Sequence, residues 1–496
     1  MEPSSRCTPA DSHRPRIAGT RKRLAAAALG LAFGHAVADP AAPRNDGWQK
    51  IEPGGETACA RGDFAYYART ASPDRVFIHL DGGGACWDAE TCALDSGIYT
   101  PEIGSLPAER GGVFDLDHPD NPFADHSMLV VPYCTGDVHL GNRVATYTVE
   151  SESGETQTFR IPHKGLVNVE AALEWLDANV DTPKQLVVTG SSAGAVATPF
   201  HADQLARRYP DARVIGLADA AGAYRSDSND RRYAAWGVPE VLRAYPGWAD
   251  FQDEEGPTTG FETLFARAAQ NMPNLELYTF EQAFDAAQQF YVRLGGREDF
   301  DLLRLIRQNQ ADIAAVDPEF RSFVVGGIEH TVLGTDRFYF YHVAGRSFRD
   351  WVADIVTGNP VASVRCTDCS RPELYYTEAD LRLIDNALDL LDSDARWARP
   401  DDAACDEAAT TWSLACALVH SARQLGDAPV TAYAAFSDVV HSTYEALGTE
   451  EVPQRLLTVF NNADDTGFED VRAVLLDVRD RIDGVPEHDR TRVDAD

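Results

Sequence analysis

The chain has 496 residues, of which 78 are acidic and 44 basic, giving a formal net charge of −34. Such an excess disfavours nucleic acid, polyanionic polymers and anionic membrane surfaces as partners and favours solubility. The length exceeds one minimal domain, yet an α/β core with insertions accommodates it.

The chain opens like an exported protein. Arg21-Lys22-Arg23 precedes an apolar run from Leu24 to Phe33, and Ala36-Val37-Ala38 is a small-x-small cleavage pattern. Residues 1–38 are therefore predicted as a signal peptide cut near Ala38, and the protein as secreted or periplasmic. The run is too short to span a bilayer, and no later stretch approaches the ~20 apolar residues a membrane helix needs. Removing the leader removes Cys7 and leaves Cys59, Cys86, Cys92, Cys134, Cys366, Cys369, Cys405 and Cys416, an even number in an oxidising compartment. Cys86 and Cys92 are predicted to bond to each other and clamp the loop between them. Proximity suggests Cys366 with Cys369 and Cys405 with Cys416, which leaves Cys59 with Cys134. Cys366-x-x-Cys369 has no second closely spaced pair to complete a zinc site, so no metal is expected.

Arg75 to Leu80 reads as a buried strand running into Asp81-Gly82-Gly83-Gly84, a loop whose backbone N–H groups are free to converge on a ligand. Ser127 to Pro132 reads as the next strand. The Asp137 and His139 that follow fit either a pocket lining or a loop satisfying its own backbone. Leu166, Val169, Leu173 and Leu176 have helical spacing.

Gln185 to Thr189 then breaks into Gly190-Ser191-Ser192-Ala193-Gly194, followed by a helical pattern. A strand, a sharp Gly-x-Ser-x-Gly turn and a helix make a nucleophile elbow with Ser192 as nucleophile, its glycines demanded by close backbone approach. In that geometry the N–H of Ala193 and amides of the glycine loop hold the oxyanion.

Arg213 to Asp219 is a further strand. The segment from about 225 to 274, rich in aromatics, proline and charge, interrupts the strand–helix alternation and is predicted as a cap. Strands return at Leu275 to Thr279 and at Ser322 to Val325. In hydrolases of this architecture the acid follows the second strand after the nucleophile strand and the base sits on the loop after the last. Asp285 and His330 occupy those places. Asp219 is the competing acid, and His201 and His342 are competing bases. His201 is expected to pack on the elbow helix.

Several of these stretches together resemble the pectin acetylesterase and Notum-type carboxylesterases: Asp81 to Gly84 with Cys86 and Trp87, Tyr133-Cys134 with Asp137, Gly190 to Gly194, Leu217-Ala218-Asp219 with Gly222, and Phe284-Asp285-Ala286-Ala287-Gln288. The resemblance covers roughly residues 50 to 370. It implies Ser192, Asp285 and His330 as the triad and the amides of Gly84, Ala85 and Ala193 as the oxyanion hole. Ala85 departs from the family, which commonly has tryptophan there, so pocket shape does not carry over.

The expectation is an α/β-hydrolase-like, doubly wound, mostly parallel sheet with a helical cap: residues 39–370 as catalytic domain, cap about 225–274, and an acidic helical C-terminal extension over 371–496. Asn462 to Gly467 faintly resembles a calcium loop, but Ala473 stands where the bidentate glutamate belongs, so a solvated turn is expected. The function expected is an exported serine esterase, monomeric and cofactor-free, acting on small-molecule or glycan esters. A deacylase of protein-bound acyl groups, a polyester hydrolase and a non-catalytic binding module are the alternatives.

Overall fold

The computed structural model describes residues 47–486 and residue 490, apart from 151–155, 227–229, 252–257, 400, 402–404, 407, 427, 450–451 and 454. The predicted leader, its cleavage site and Cys7 lie outside the described residues, as do Asp227, Asp253, Glu254 and Glu255 of the predicted cap.

Nine strands build the central sheet: β1 (Gln49–Ile51), β2 (Tyr66–Arg69), β3 (Arg75–Leu80), β4 (Ser127–Val131), β5 (Gln185–Ser191), β6 (Arg213–Asp219), β7 (Leu275–Gln282), β8 (Arg321–Val325) and β9 (Val364–Arg365). Their order is β1-β2-β4-β3-β5-β6-β7-β8-β9. β1 with β2 and β2 with β4 are antiparallel, and every pairing from β4 through β3 to β9 is parallel. This is the predicted doubly wound α/β-hydrolase-like sheet.

The apolar runs read from the sequence are apolar because both faces are covered. Alternate residues point to opposite sides, so Val76, Ile78, Leu186, Val188 and Val214 enter one core while Phe77, Val187 and Ile215 enter the other. The first core is closed by helices Gly165–Asn179, Ala193–Arg208 and Phe261–Asn271, and the second by Phe348–Thr357. Phe261, Leu264, Phe265 and Ala268 are thus core residues. Within the segment predicted as a cap, it is Asp230–Trp236 that carries side chains to the cavity described below.

The hairpin Arg143–Glu150 with Thr156–His163 and the short strands β1, β2 and β9 went unforeseen. Strands of two to four residues are too brief to show a period. The C-terminal helices Glu378–Leu390, Leu414–Leu425, Ala434–Leu447 and Phe468–Asp483 pack around a third core of their own, which Ile328 also enters. Disulfides join Cys59–Cys134, Cys86–Cys92, Cys366–Cys369 and Cys405–Cys416, the pairing expected. In the turn resembling a calcium loop, the Arg399 guanidinium reaches the carbonyls of Asn462, Ala463 and Thr466.

Candidate active site

β5 ends at Ser191, and Ser192 sits at φ 53° and ψ −114° before helix Ala193–Arg208 begins. A non-glycine residue in that region is strained, and the surroundings must enforce it. They do so by crowding: a Cβ at Gly190 would stand 2.2 Å from the Gly194 carbonyl oxygen, and one at Gly194 2.1 Å from that of Leu80. The Ser192 amide is anchored to the Asp219 carbonyl at 2.8 Å.

The glycine loop after β3 lies against this elbow, with a Cβ at Gly82 placed 2.8 Å from that of Ser192. Its entry is fixed by Asp81. Arg110 grips the Asp81 carboxylate through both terminal nitrogens at 2.6 and 2.8 Å. Burial opposes ionisation of Asp81, but the guanidinium prevails and holds its pKa below the usual carboxylate range. Gly84 pairs with Tyr99 in an isolated bridge, and the Ala85 amide acts on the buried Tyr291 hydroxyl, whose pKa burial raises. Tyr291 donates to the Ile98 carbonyl.

Asp285 caps helix Ala286–Leu294, its Oδ1 accepting from the Gln288 amide at 2.9 Å. Its Oδ2 meets His330 Nδ1 at 2.6 Å and accepts from Gln288 Nε2 at 3.1 Å. Asp285 is fully buried, and the His330 side chain is 13% exposed. Because a carboxylate oriented by an N-cap accepts from Nδ1, the proton belongs on Nδ1 and Nε2 is left basic. Gln288 also donates to Glu281 Oε2 at 2.8 Å, and burial with the neighbouring Asp285 charge pushes the Glu281 carboxyl up to about 8.

The competing residues are held in other contacts. Asp219 accepts from Ser191 Oγ at 2.9 Å and from the amides of Val332 and Leu333 at 3.0 Å. Burial raises its carboxyl to about 6. It thereby joins the residue before Ser192 to the loop after His330. His201 is buried on the elbow helix, bonded to the His139 carbonyl, as expected. His342 stacks on Tyr375 with centroids 4.0 Å apart and stands 3.4 Å from Glu373. Asp137 and His139 are buried in the loop reading: Asp137 accepts from Thr135 and Gly165, and His139 meets the Asp81 carbonyl at 2.8 Å.

Above Ser192 lies a cavity of about 40 Å³, floored by Gly84, Ala85 and Ala193 and walled by Trp87, Val196, Tyr224, Trp236 and Tyr291. Arg232 also lines it, its guanidinium 4.4 Å from the Trp87 ring centroid. Among the described residues no carboxylate stands within salt-bridge distance of Arg232, and burial lowers its pKa. Arg232 lies within the segment predicted as a cap, and sequence reasoning missed Glu281, although Gln288, three residues after Asp285, was a signal for the helix cap that orients Asp285. Among the described residues the only cluster with metal-ligand spacing is Cys86, Cys92 and His163, and its two sulfurs are joined in a disulfide.

A strained serine between a parallel strand and a helix, beside a glycine loop and a buried Asp–His pair, defines a protein of the α/β-hydrolase class. Residues 57–234 match the family model for pectinacetylesterase. The chain is 23% identical over 349 residues to palmitoleoyl-protein carboxylesterase notum1′ of Xenopus laevis, a match covering 61% of this chain and 66% of the relative. It is 27% identical over 165 residues to palmitoleoyl-protein carboxylesterase NOTUM of Homo sapiens, covering 31% and 32%. Pectin acetylesterase 4 of Arabidopsis thaliana is 28% identical over 152 residues, covering 29% and 34%. Over residues 57–234 the chain is thus similar to pectinacetylesterases, and over up to 349 residues to Notum-type carboxylesterases, and it spans less than two thirds of the length of these relatives.

Proposed function

We propose that this protein is an exported serine esterase that hydrolyses short acyl, acetyl-type esters by way of an acyl-enzyme. His330 Nε2 takes the proton of Ser192 Oγ as that oxygen attacks the ester carbonyl. Asp285 holds the imidazole tautomer and stabilises the imidazolium. The oxyanion is met by the amides of Gly84, Ala85 and Ala193, of which Ala85 must be shared with Tyr291. The imidazolium returns its proton to the departing alkoxide, and water repeats the sequence to release the acid.

The observation that carries this reading is the part-buried His330–Asp285 contact of 2.6 Å in a chain that also strains Ser192 beside a cavity. The cavity's size supports the acyl class. On the measure by which one water fills roughly 10–15 Å³, about 40 Å³ accommodates an acetyl or slightly larger group. Residues 39–370 are the proposed catalytic domain, with 225–274 as its cap and 371–496 as a helical extension. The predicted leader and four disulfides support export.

Rates on p-nitrophenyl acetate and palmitate, with fluorophosphonate labelling of Ser192, test it. Fast acetate turnover with labelling abolished in Ser192→Ala is expected. Preference for palmitate favours the deacylase, and hydrolysis of neither a binding module.

A further inference from the structure

Residue His330 hangs on a loop that the C-terminal helices hold. Glu329, immediately before it, is buried, and its carboxylate is met by Arg337 at 2.5 Å, by the Tyr341 hydroxyl, and at 2.7 Å by the hydroxyl of Ser437. Burial alone would raise the Glu329 pKa, but Arg337 and these donors hold it below the usual range, so the loop carries a fixed charge there. One residue earlier, the Ile328 amide donates to His441 Nε2 at 3.1 Å. His441 Nδ1 faces the Ser437 carbonyl at 2.8 Å, which can only accept, so the proton is on Nδ1 and Nε2 is the acceptor Ile328 needs. Ser437 and His441, one turn apart on helix Ala434–Leu447, thus grip two consecutive loop residues. Gly327 completes the fit: at φ 105° it lets the loop pass where a Cβ would stand 2.3 Å from His441 Nε2. The opposite side of the loop is held by the acid segment, through Phe284 to Gly327, Ala286 to Ile328, and Gln282 Nε2 to the His330 carbonyl at 2.8 Å.

We infer that Ser437 and His441 are positioning residues for His330, and that the C-terminal helices complete the active site instead of merely being appended to it. The inference rests on the reading of His330 as the base. The Asp285 side of the loop is fixed by the hydrolase core and the amides after His330 by Asp219, while the Glu329 side chain is held where Arg337, Tyr341 and the C-terminal helix converge. Loosening that side lets the imidazole tilt away from Ser192, and a misplacement near 1 Å costs about a hundredfold in rate.

The test uses the full chain with His441→Leu, which removes the acceptor, His441→Gln, which keeps one, Ser437→Ala and, in parallel, His330→Ala. For p-nitrophenyl acetate, kcat should fall about 10- to 100-fold in His441→Leu and about 3- to 10-fold in Ser437→Ala, with KM within about twofold. Fluorophosphonate labelling of Ser192 should slow in proportion, and His441→Gln should recover most of the rate. Full kcat in a folded His441→Leu overturns the inference. So does a loss that merely follows the unfolded fraction and is not rescued by Gln. If His330→Ala keeps its activity, the esterase reading itself fails; if that variant is dead while His441→Leu is fully active, only this inference fails.

Discussion

Ser191 Oγ donates to Asp219 Oδ2 at 2.9 Å, and that same oxygen accepts the amides of Val332 and Leu333. One buried carboxylate therefore sets the spacing between the elbow and the loop of His330, without a hydrogen bond to the side chain of Ser192 or of His330. Asp219 is a brace and Asp285 the imidazole's partner, so their amide variants should part. Asp285→Asn should cost about 10⁴-fold in kcat by misdirecting the tautomer. Asp219→Asn should cost about 1–3 kcal/mol of stability, because one amide cannot accept from all three donors, with a kcat loss of about tenfold or less. Denaturant titration beside steady-state kinetics separates them, and reversed outcomes would move the acid to Asp219.

The two adjacent serines give a second contrast. Ser192→Ala keeps the Cβ and the strain, so thermal stability should hold while esterase activity and labelling vanish. Ser191→Ala removes a hydrogen bond to Asp219 worth about 1 kcal/mol and should remain active. If the Ser191 variant is the dead one, the nucleophile is misplaced by one residue.

What the sequence made legible follows from range. The elbow was readable because a strained serine demands small residues at fixed offsets, and β3 and β6 because buried parallel strands are continuous apolar runs. The loop of His330 was readable only as a position after a strand. The grip of Ser437 on Glu329 and of His441 on Ile328 joins residues 108 and 113 apart, and no local pattern encodes such a contact. Neither the glycine before Ile328 nor the buried acid before His330 reveals its partner until the C-terminal helix is folded against them.

Stability should peak near pH 6.5. Burial lowers His79, His139 and His163 to about 4 and His201 to about 3. Lowered histidines contribute stability that is present above the unfolded value of 6.5 and lost as pH falls through the folded values, each on the order of 3 kcal/mol. Asp137 and Asp219, raised to about 6, have the opposite sign, with stability present below 3.8 and lost as pH rises through 6, and they offset part of this. Above pH 6.5 only Glu281, raised to about 8, remains among these, and its contribution declines toward pH 8. Thermal midpoints from pH 4 to 9 should therefore fall on both sides, and His201→Gln should flatten the acid limb. An unchanged acid limb in that variant would place the proton uptake elsewhere.

Charge acts on the substrate at two ranges. The net −34 should repel an acetylated polyuronate at long range, whereas Arg232, stacked on Trp87 in the cavity with no carboxylate beside it among the described residues, offers a cation at contact range. Charges separated by more than about 10 Å are screened near 0.1 M salt, while a desolvated contact is not. Added salt should thus raise kcat/KM on acetylated pectin and barely alter it on an acetylated neutral glycan. Arg232→Gln should lower kcat/KM on the uronate polymer several-fold more than on the neutral one at every salt concentration, and Arg232→Lys should restore part of that difference. The measurement is the ratio of kcat/KM for the two polymers across a salt series, in the wild-type protein and both variants. If activity on acetylated pectin is high at low salt and declines as salt is added, the surface steers polyanions inward and the repulsion argument is wrong. If Arg232→Gln slows both polymers equally, the guanidinium shapes the pocket through Trp87 and does not read the carboxylate.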